Sequence, residues 1–393
     1  MQDVVIAGGG PIGSHIALRL AEAGYDVLVL EKREAIGGRV CCAGILGQEC
    51  ITSYNIDSSL IMRQANSAKI FSPSGRLIHL WRQQNQASIV DRAAFDLFMA
   101  DRAITAGAEY IFNCNAKDIE VKKDSIIVRA TEDGIKQEYE ARALVIANGF
   151  GSKLVENVGL GKSGDFVIGA QAEVETTAAE EVEVYMGRGI APGFFAWLLP
   201  TTPKKALAGL LSRKNPKGYL NKLLSTLKTD IKITDDNVEI DCRGISIKPL
   251  HKTYSRRLIV AGDAAGQVKP TTGGGIYFGL LAADAAVASL KQALQSDNLS
   301  AGSLADYQRQ WQKQLSRELK IDYWARKIFE RLSDKQIDRI FDITIDKGID
   351  KGLLEADDLS FDWHSRAIGR VLRQKALTGA LAAMKIPFKI GLG

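Results

Sequence analysis

The first chemistry legible in this chain is the binding of phosphate and ribose. Gly8, Gly10 and Gly13 stand in G-x-G-x-x-G spacing directly after the apolar run Val4-Val5-Ile6. Glycines so spaced give a tight turn, let backbone approach a pyrophosphate and bring a helix close to a strand. The helical pattern that follows, through Ile16, Leu18, Leu20 and Ala21 to a C-cap at Gly24, offers free N–H groups and the positive end of its dipole to the phosphates. Glu31 stands 18 residues after Gly13, at the end of the run Val27-Leu28-Val29-Leu30. A carboxylate there accepts hydrogen bonds from both ribose hydroxyls. A glycine-rich turn alone does not account for Glu31, so the unit reads as a dinucleotide site, which NAD and FAD share. Two similar spacings carry no such chemistry. Gly159, Gly161 and Gly164 lack a preceding apolar strand, and Gly161-Lys162-Ser163 has Glu156 where a phosphate loop needs its first glycine.

A distant second segment separates the two cofactors. Leu258-Ile259-Val260-Ala261 is followed by Gly262-Asp263-Ala264-Ala265-Gly266, then by Pro270-Thr271-Thr272-Gly273-Gly274-Gly275-Ile276 and a helix rich in small residues. Asp263, at a strand end, suits a ribityl hydroxyl. A helix starting near Gly275 can aim N–H groups at the flavin N1–C2=O edge, where negative charge develops on reduction. A site for NAD alone has no use for this element, so FAD is expected. The segment resembles the GD motif of FAD proteins of the p-hydroxybenzoate hydroxylase-like class. That resemblance implies further cofactor contacts from Ile12, Gly274 and Ile276.

The elements between these segments fit the same class. Asp91-Arg92 opens a helix with apolar positions Phe95, Leu97, Phe98 and Ala103 that closes at Ala106-Gly107-Ala108. Arg92 is placed to bind the FAD phosphates or the adenine side; it reads equally well as a solvated arginine at a helix start. A strand from Ile111-Phe112 to Ala116 would bring backbone near Ala116 to the adenine, and Leu144 to Gly149 would close the nucleotide lobe.

Three more segments narrow the likeness to the geranylgeranyl reductase family, flavoproteins that saturate isoprenoid double bonds. Gly37-Gly38-Arg39-Val40-Cys41-Cys42-Ala43-Gly44 resembles that family's cysteine–small–glycine stretch, with Cys42 in the matching position. Pro192-Gly193-Phe194-Phe195-Ala196-Trp197-Leu198-Leu199-Pro200 resembles its P-G-x-Y-x-W-x-F-P signature, and Pro270 to Ile276 is close to its P-x-T-G-G-G-I. The similarity covers most of residues 1–330. It implies flavin contacts from Cys42, Ala43 and Ile45, and makes Cys42 a catalytic candidate that orients flavin or substrate or relays a proton. A buried cysteine acting as a small hydrophobe is the commoner fate. Phe195, Trp197 and Leu199 alternate, so they share one strand face that can wall an apolar tunnel, and Pro200 is expected to end that strand. A plain core strand has the same pattern. Phe195 replaces the family's usual tyrosine and its hydroxyl; Cys41 stands where many members have arginine.

The competing readings are a flavin-dependent monooxygenase or halogenase of the same fold. Asn148-Gly149-Phe150-Gly151-Ser152-Lys153 departs from the D-G-x-x-S-x-x-R of hydroxylases. Phe195-x-Trp197-x-Leu199-Pro200 lacks the first tryptophan of the halogenase W-x-W-x-I-P. A non-enzymatic flavin sensor or lipid carrier has no sensory module to support it.

The elements must fit a chain of 393 residues with 51 Lys+Arg against 46 Asp+Glu, 46% hydrophobic and 25% charged, which is ordinary folded composition. The small charge excess gives no nucleic-acid binder, and no metal site is expected. The most apolar run, Gly273 to Leu290, contains Asp284 and does not read as a membrane span. The strand-like start leaves no room for a secretory signal, and the five irregularly spaced cysteines suit a reducing compartment. A cytoplasmic protein is expected, with peripheral contact to the membrane face as an addition. That addition rests on Trp363 to Gly393, which holds Arg366, Arg370, Arg373, Lys375, Lys385 and Lys389 and no acid; a solvated helix face explains it equally well.

The fold expected is α/β. A Rossmann-like FAD-binding domain (1–70, 86–150 and 246–295) carries an inserted antiparallel-sheet substrate domain (71–85 and 151–245) and a helical C-terminal domain (296–393). The family likeness implies an isoprenoid substrate borne on a lipid, diphosphate, quinone or chlorophyll. Its electron donor is a ferredoxin, a deazaflavin or NAD(P)H.

Overall fold

The computed structural model describes residues 1–379 except 39, 163, 178, 357 and 376. The chain forms two compact units. One gathers Met1–Val40, Arg92–Phe166 and Ile245–Leu319; the other gathers Cys41–Asp91, Val167–Gly244 and Lys320–Gly393.

In the first unit the apolar runs become the parallel strands of an eight-stranded mixed sheet. Strand Gln2–Ala7 lies at its centre, with Val27–Leu30 and then Glu109–Ile111 on one side, and Ile135–Ile146 and then Leu258–Val260 on the other. Val4 to Ala7, Val27 to Leu30 and Leu144 to Ile146 are buried throughout, as strands covered on both faces must be. The chain leaves Gln2–Ala7 toward one edge and returns on the other side. The turn after this strand therefore sits at a topological switch point, where such sheets bind ligands. Helix Pro11–Ala21 packs between helices Arg92–Thr105 and Ile276–Gln295. It ends two residues earlier than the pattern suggests, with Glu22 as its C-cap, and Gly24 takes φ +82° in the turn beyond. Leu97 faces solvent rather than the core, 46% exposed. The strand expected over 111–116 is two, Glu109–Ile111 and Cys114–Val121, broken at Asn113 with φ +50°.

The second unit holds a seven-stranded sheet in the order Asp241–Ser246, Phe166–Glu175, Lys205–Ser212, Phe195–Thr202, Val182–Met186, Ser67–Phe71, Leu77–Trp81. Its hairpins are antiparallel as expected, but Val182–Met186 runs parallel to Ser67–Phe71. Pro200 does not end its strand: it pairs with Ala206 where the register shifts, a place that tolerates a missing N–H. Helix Pro216–Thr229 buries Leu220, Leu223, Leu224 and Leu227 along one face.

The units divide the chain differently from the domains expected. Residues 41–70 and 86–91 belong with the second unit, where Ile45–Gly47 and Ile61–Ala65 both pair with Ala87–Val90 in a separate three-stranded sheet. The C-terminal helices do not form a separate body. Leu332, Ile337 and Phe341 share one core with Ile78 of the sheet. Among the described residues, no helix is long and apolar enough to cross a membrane. Helix Ser365–Arg373 carries Arg366, Arg370 and Arg373, and Arg370 is ion-paired with Asp358; Lys385 and Lys389 lie outside the described residues.

Candidate active site

The glycine turn of the first unit is built by close approaches that only hydrogen at Cα permits. A Cβ on Gly13 would lie 2.0 Å from the Gly8 carbonyl oxygen, and one on Gly8 (φ +111°) would lie 2.7 Å from the Asn148 Cα. Gly10 differs. It is the N-cap of helix Pro11–Ala21, gives no side-chain cap, and faces open space, with nothing within 4 Å of a Cβ. The helix start therefore keeps uncapped N–H donors beside an empty volume.

Glu31 is 8% exposed. Its Oε2 accepts the Gly9 N–H at 2.8 Å and its Oε1 accepts the Arg33 N–H at 3.0 Å. The remaining lone pairs of a carboxylate held this way stay available for hydroxyl donors. A second chain of bonds secures the turn: Tyr110 Oη donates to Ser14 Oγ at 2.9 Å, and Ser14 Oγ donates to the Gly9 carbonyl at 3.0 Å. Burial pushes the Tyr110 phenol up to about 12, so it remains a donor. Residues 14 and 110 give no local sign of this role in the sequence.

The second nucleotide segment reaches the first through Ile12. Its side chain lies 3.0 Å from a Cβ placed on Gly262 and 2.6 Å from one placed on Gly279, so the two segments meet at small residues. Asp263 Oδ1 would be 2.6 Å from a Cβ on Gly275, the N-cap residue of helix Ile276–Gln295. Gly274 is exposed in the loop before it. Beneath this turn is a buried network. Gln267 Oε1 accepts the Gly262 N–H at 2.8 Å, Gln267 Nε2 donates to Tyr307 Oη at 2.8 Å, and Tyr307 Oη donates to the Val260 carbonyl at 2.7 Å. Tyr307 comes from a helix far along the chain, beyond the reach of pattern reading.

Arg92 is bound within its own helix, to Asp96 at 2.6 Å. Ala116 lies in strand Cys114–Val121, whose first residue donates its N–H to the Glu31 carbonyl at 2.9 Å. The start of that strand is therefore beside the backbone of Glu31. Asn148, next to Gly8, holds a buried Oδ1 with no partner among the described residues.

Cys42, Ala43, Ile45, Phe195, Trp197 and Leu199 belong to the second unit. Ile45 opens a strand and pairs with Ile89. Cys42 is half-buried, and its carbonyl accepts from Gln171 Nε2 at 3.3 Å. The Cys41 thiol donates to the Asp241 carbonyl at 3.6 Å, and burial pushes it up to about 12. Phe195 and Trp197 place their rings 6.0 Å apart on one face. The Pro192-Gly193-Phe194 half of that signature is a docking point instead. Arg326 lies 3.1 Å over the Phe194 ring and donates to the Gly193 carbonyl, while a Cβ on Gly193 would strike Glu330 at 2.9 Å.

These features suit FAD. The space at Gly10 and the uncapped helix would take the pyrophosphate, Glu31 the ribose, and the Asp263–Gly275 turn the flavin side. The unpartnered Asn148 acceptor at the turn awaits a donor. Residues 2–183 match the family described as pyridine nucleotide-disulphide oxidoreductase. The digeranylgeranylglycerophospholipid reductase of Methanocaldococcus jannaschii is 30% identical over 354 residues, 86% of this chain and 89% of that one. A geranylgeranyl bacteriochlorophyll reductase-like protein of Thermoplasma acidophilum has the same fold, with TM-score 0.85 at 23% identity over 98% of both chains. A flavin-dependent brominase shares the fold at TM-score 0.68 and 17% identity, covering 98% of this chain and 99% of its own. A nucleotide turn built for FAD and a relative this similar along nearly its whole length lead to one assignment: the chain belongs to the FAD-dependent geranylgeranyl reductase family, that of the digeranylgeranylglycerophospholipid reductases.

Proposed function

We propose that this protein saturates C=C bonds of geranylgeranyl chains carried on a glycerophospholipid. The observation that carries this reading is the strand face of Phe195, Trp197 and Leu199, three large apolar side chains in alternation, in a chain that also carries the Gly8–Gly13 turn. Bound and reduced FAD supplies a hydride. The chain's own residues would do the rest. The Gly8–Gly13 turn, Glu31, Asp263 and the N-terminus of helix Ile276–Gln295 would hold the cofactor, and the Phe195–Leu199 face would line the path of the prenyl chain. An isolated alkene accepts hydride poorly unless a proton reaches its other carbon. Phe195 has no hydroxyl to give; Cys42, which stands at the position of the family's cysteine, would orient the alkene or relay that proton. Apolar walls would favour the reaction by excluding water. The basic residues Arg366, Arg373 and Lys375 would bring the protein to an anionic lipid surface.

The test is mass spectrometry of geranylgeranyl lipids incubated anaerobically with the purified, chemically reduced protein, which sidesteps the electron donor. Products heavier by successive pairs of hydrogens, with the flavin reoxidised, support the reading. No mass change across several head groups, with oxygen-dependent turnover of an aromatic, would replace it with the monooxygenase or halogenase reading that the brominase fold allows.

A further inference from the structure

One row of the second unit's sheet breaks its apolar character. Gln171 pairs with Gly209, and Gly209 pairs with Trp197, so the three lie side by side on the face that carries Phe195 and Leu199. Gly209 leaves a gap, and the indole fills it: a Cβ there would lie 2.4 Å from Trp197 Cζ2 and 2.6 Å from Cε2. Cε2 is bonded to Nε1, so the indole nitrogen is one bond from the atoms that cover the glycine, in the row that Gln171 shares. The main chains of Gln171 and Trp197 are roughly 10 Å apart across two strand spacings, and the ring spans one of those gaps.

Both polar ends are buried and unmatched. Trp197 Nε1, a donor, and Gln171 Oε1, an acceptor, have no partner among the described residues, and Gln171 is 7% exposed. The amide orientation is set by chemistry. Its nitrogen donates to the Cys42 carbonyl at 3.3 Å, so its oxygen points elsewhere. Each such group left unsatisfied is destabilising, and one hydroxyl oxygen can satisfy both by accepting from the indole and donating to the amide.

We propose that Trp197 and Gln171 form a subsite for a single hydroxyl oxygen, from water or from an alcohol group of the substrate. It rests on reading the Phe195–Leu199 face as the substrate wall. The subsite would add a polar discriminator to an apolar surface and tie it, through Gln171, to the backbone of Cys42.

The test is calorimetric titration of the oxidised holoprotein with geranylgeraniol and with geranylgeranyl methyl ether in detergent, alongside a high-resolution crystal structure. If the substrate supplies the hydroxyl, the alcohol binds roughly tenfold tighter than the ether, about the worth of one good hydrogen bond. Trp197→Phe and Gln171→Leu then each abolish the difference. If water supplies it, the two lipids bind alike, and an ordered water contacts both Nε1 and Oε1 in the wild type but is missing in Gln171→Leu. The proposal is overturned if there is neither a preference nor a water, or if Trp197 Nε1 bonds a protein group directly. Trp197→Phe keeps a ring over Gly209 and is an independent check should Gln171→Leu misfold. Neither readout needs turnover, so a protein that passes here yet saturates no alkene overturns only the reductase reading.

Discussion

Glu31 reaches back 22 positions to accept the Gly9 N–H at 2.8 Å, so the carboxylate proposed to hold the ribose also shapes the glycine turn. Glu31→Ala removes both functions and leaves the Gly9 and Arg33 amides unmatched. FAD affinity should fall roughly 10- to 100-fold, the scale of lost hydrogen bonds to a charged group. The absorbance ratio of purified protein at the flavin and protein bands reads this directly, and full occupancy would refute the ribose role.

Two glycines of the same turn should behave differently. Gly13→Ala puts a methyl group 2.0 Å from the Gly8 carbonyl oxygen, so backbone must move, at a cost of about 1–3 kcal/mol or more. Gly10→Ala meets nothing within 4 Å and keeps φ at −70°. The apoprotein should melt as the wild type does, while FAD binding drops at least roughly tenfold because the methyl occupies the pyrophosphate's approach. Melting curves with and without added FAD separate the two effects. Equal Tm losses in both variants would show that the space at Gly10 is not a ligand volume.

The glycine spacing of this turn is legible in the sequence because Gly13 packs on Gly8 only five residues away, whereas the Tyr110–Ser14 bond that secures it is not. The network under the second nucleotide segment is not legible. Tyr307 meets Val260 from 47 positions away, and a tyrosine in a helical repeat looks the same whether it caps a motif or fills a core. The domain boundaries fail for a related reason. The C-terminal region is legible as helical, but the core that Ile78 of the sheet shares with Ile337 and Phe341 of helix Asp334–Asp346 is not. Pro200 likewise reads as a strand end until the register shift beside it is seen.

The Cys41 thiol, raised first by burial and next by the neighbouring Cys42, should resist alkylation. At about pH 8.5, iodoacetamide should label it at least roughly tenfold more slowly than the exposed Cys242, as read by peptide mass spectrometry, with the difference lost in denaturant. The fold holds this proton more tightly than the unfolded chain does. Its contribution to stability is therefore intact below the ordinary thiol value of 9.0 and declines as pH rises toward about 12. Fast native labelling of Cys41 would contradict the burial.

Gly209→Ala tests the substrate wall without touching the nucleotide turn. The added methyl would sit 2.4 Å from the Trp197 ring and 2.9 Å from the Ala170 carbonyl oxygen, so the indole must swing away. KM for a geranylgeranyl lipid should rise at least roughly tenfold, with FAD content unchanged. An unaltered KM would remove Trp197 from the wall.

The central sheet of the first unit also governs how the protein can be made. Leu144, Val145 and Ile146 take Leu258, Ile259 and Val260 as their parallel partners, and all of residues 167–244 must be synthesised between the two. Until the later strand emerges from the ribosome, a fully apolar edge has unpaired N–H and C=O groups, a template for pairing with another chain. Long-range parallel pairing forms slowly, so nascent chains pass through an aggregation-prone interval whose length is set by the inserted sheet. The insertion of residues 167–244 thus also sets how long the newborn chain carries that open edge.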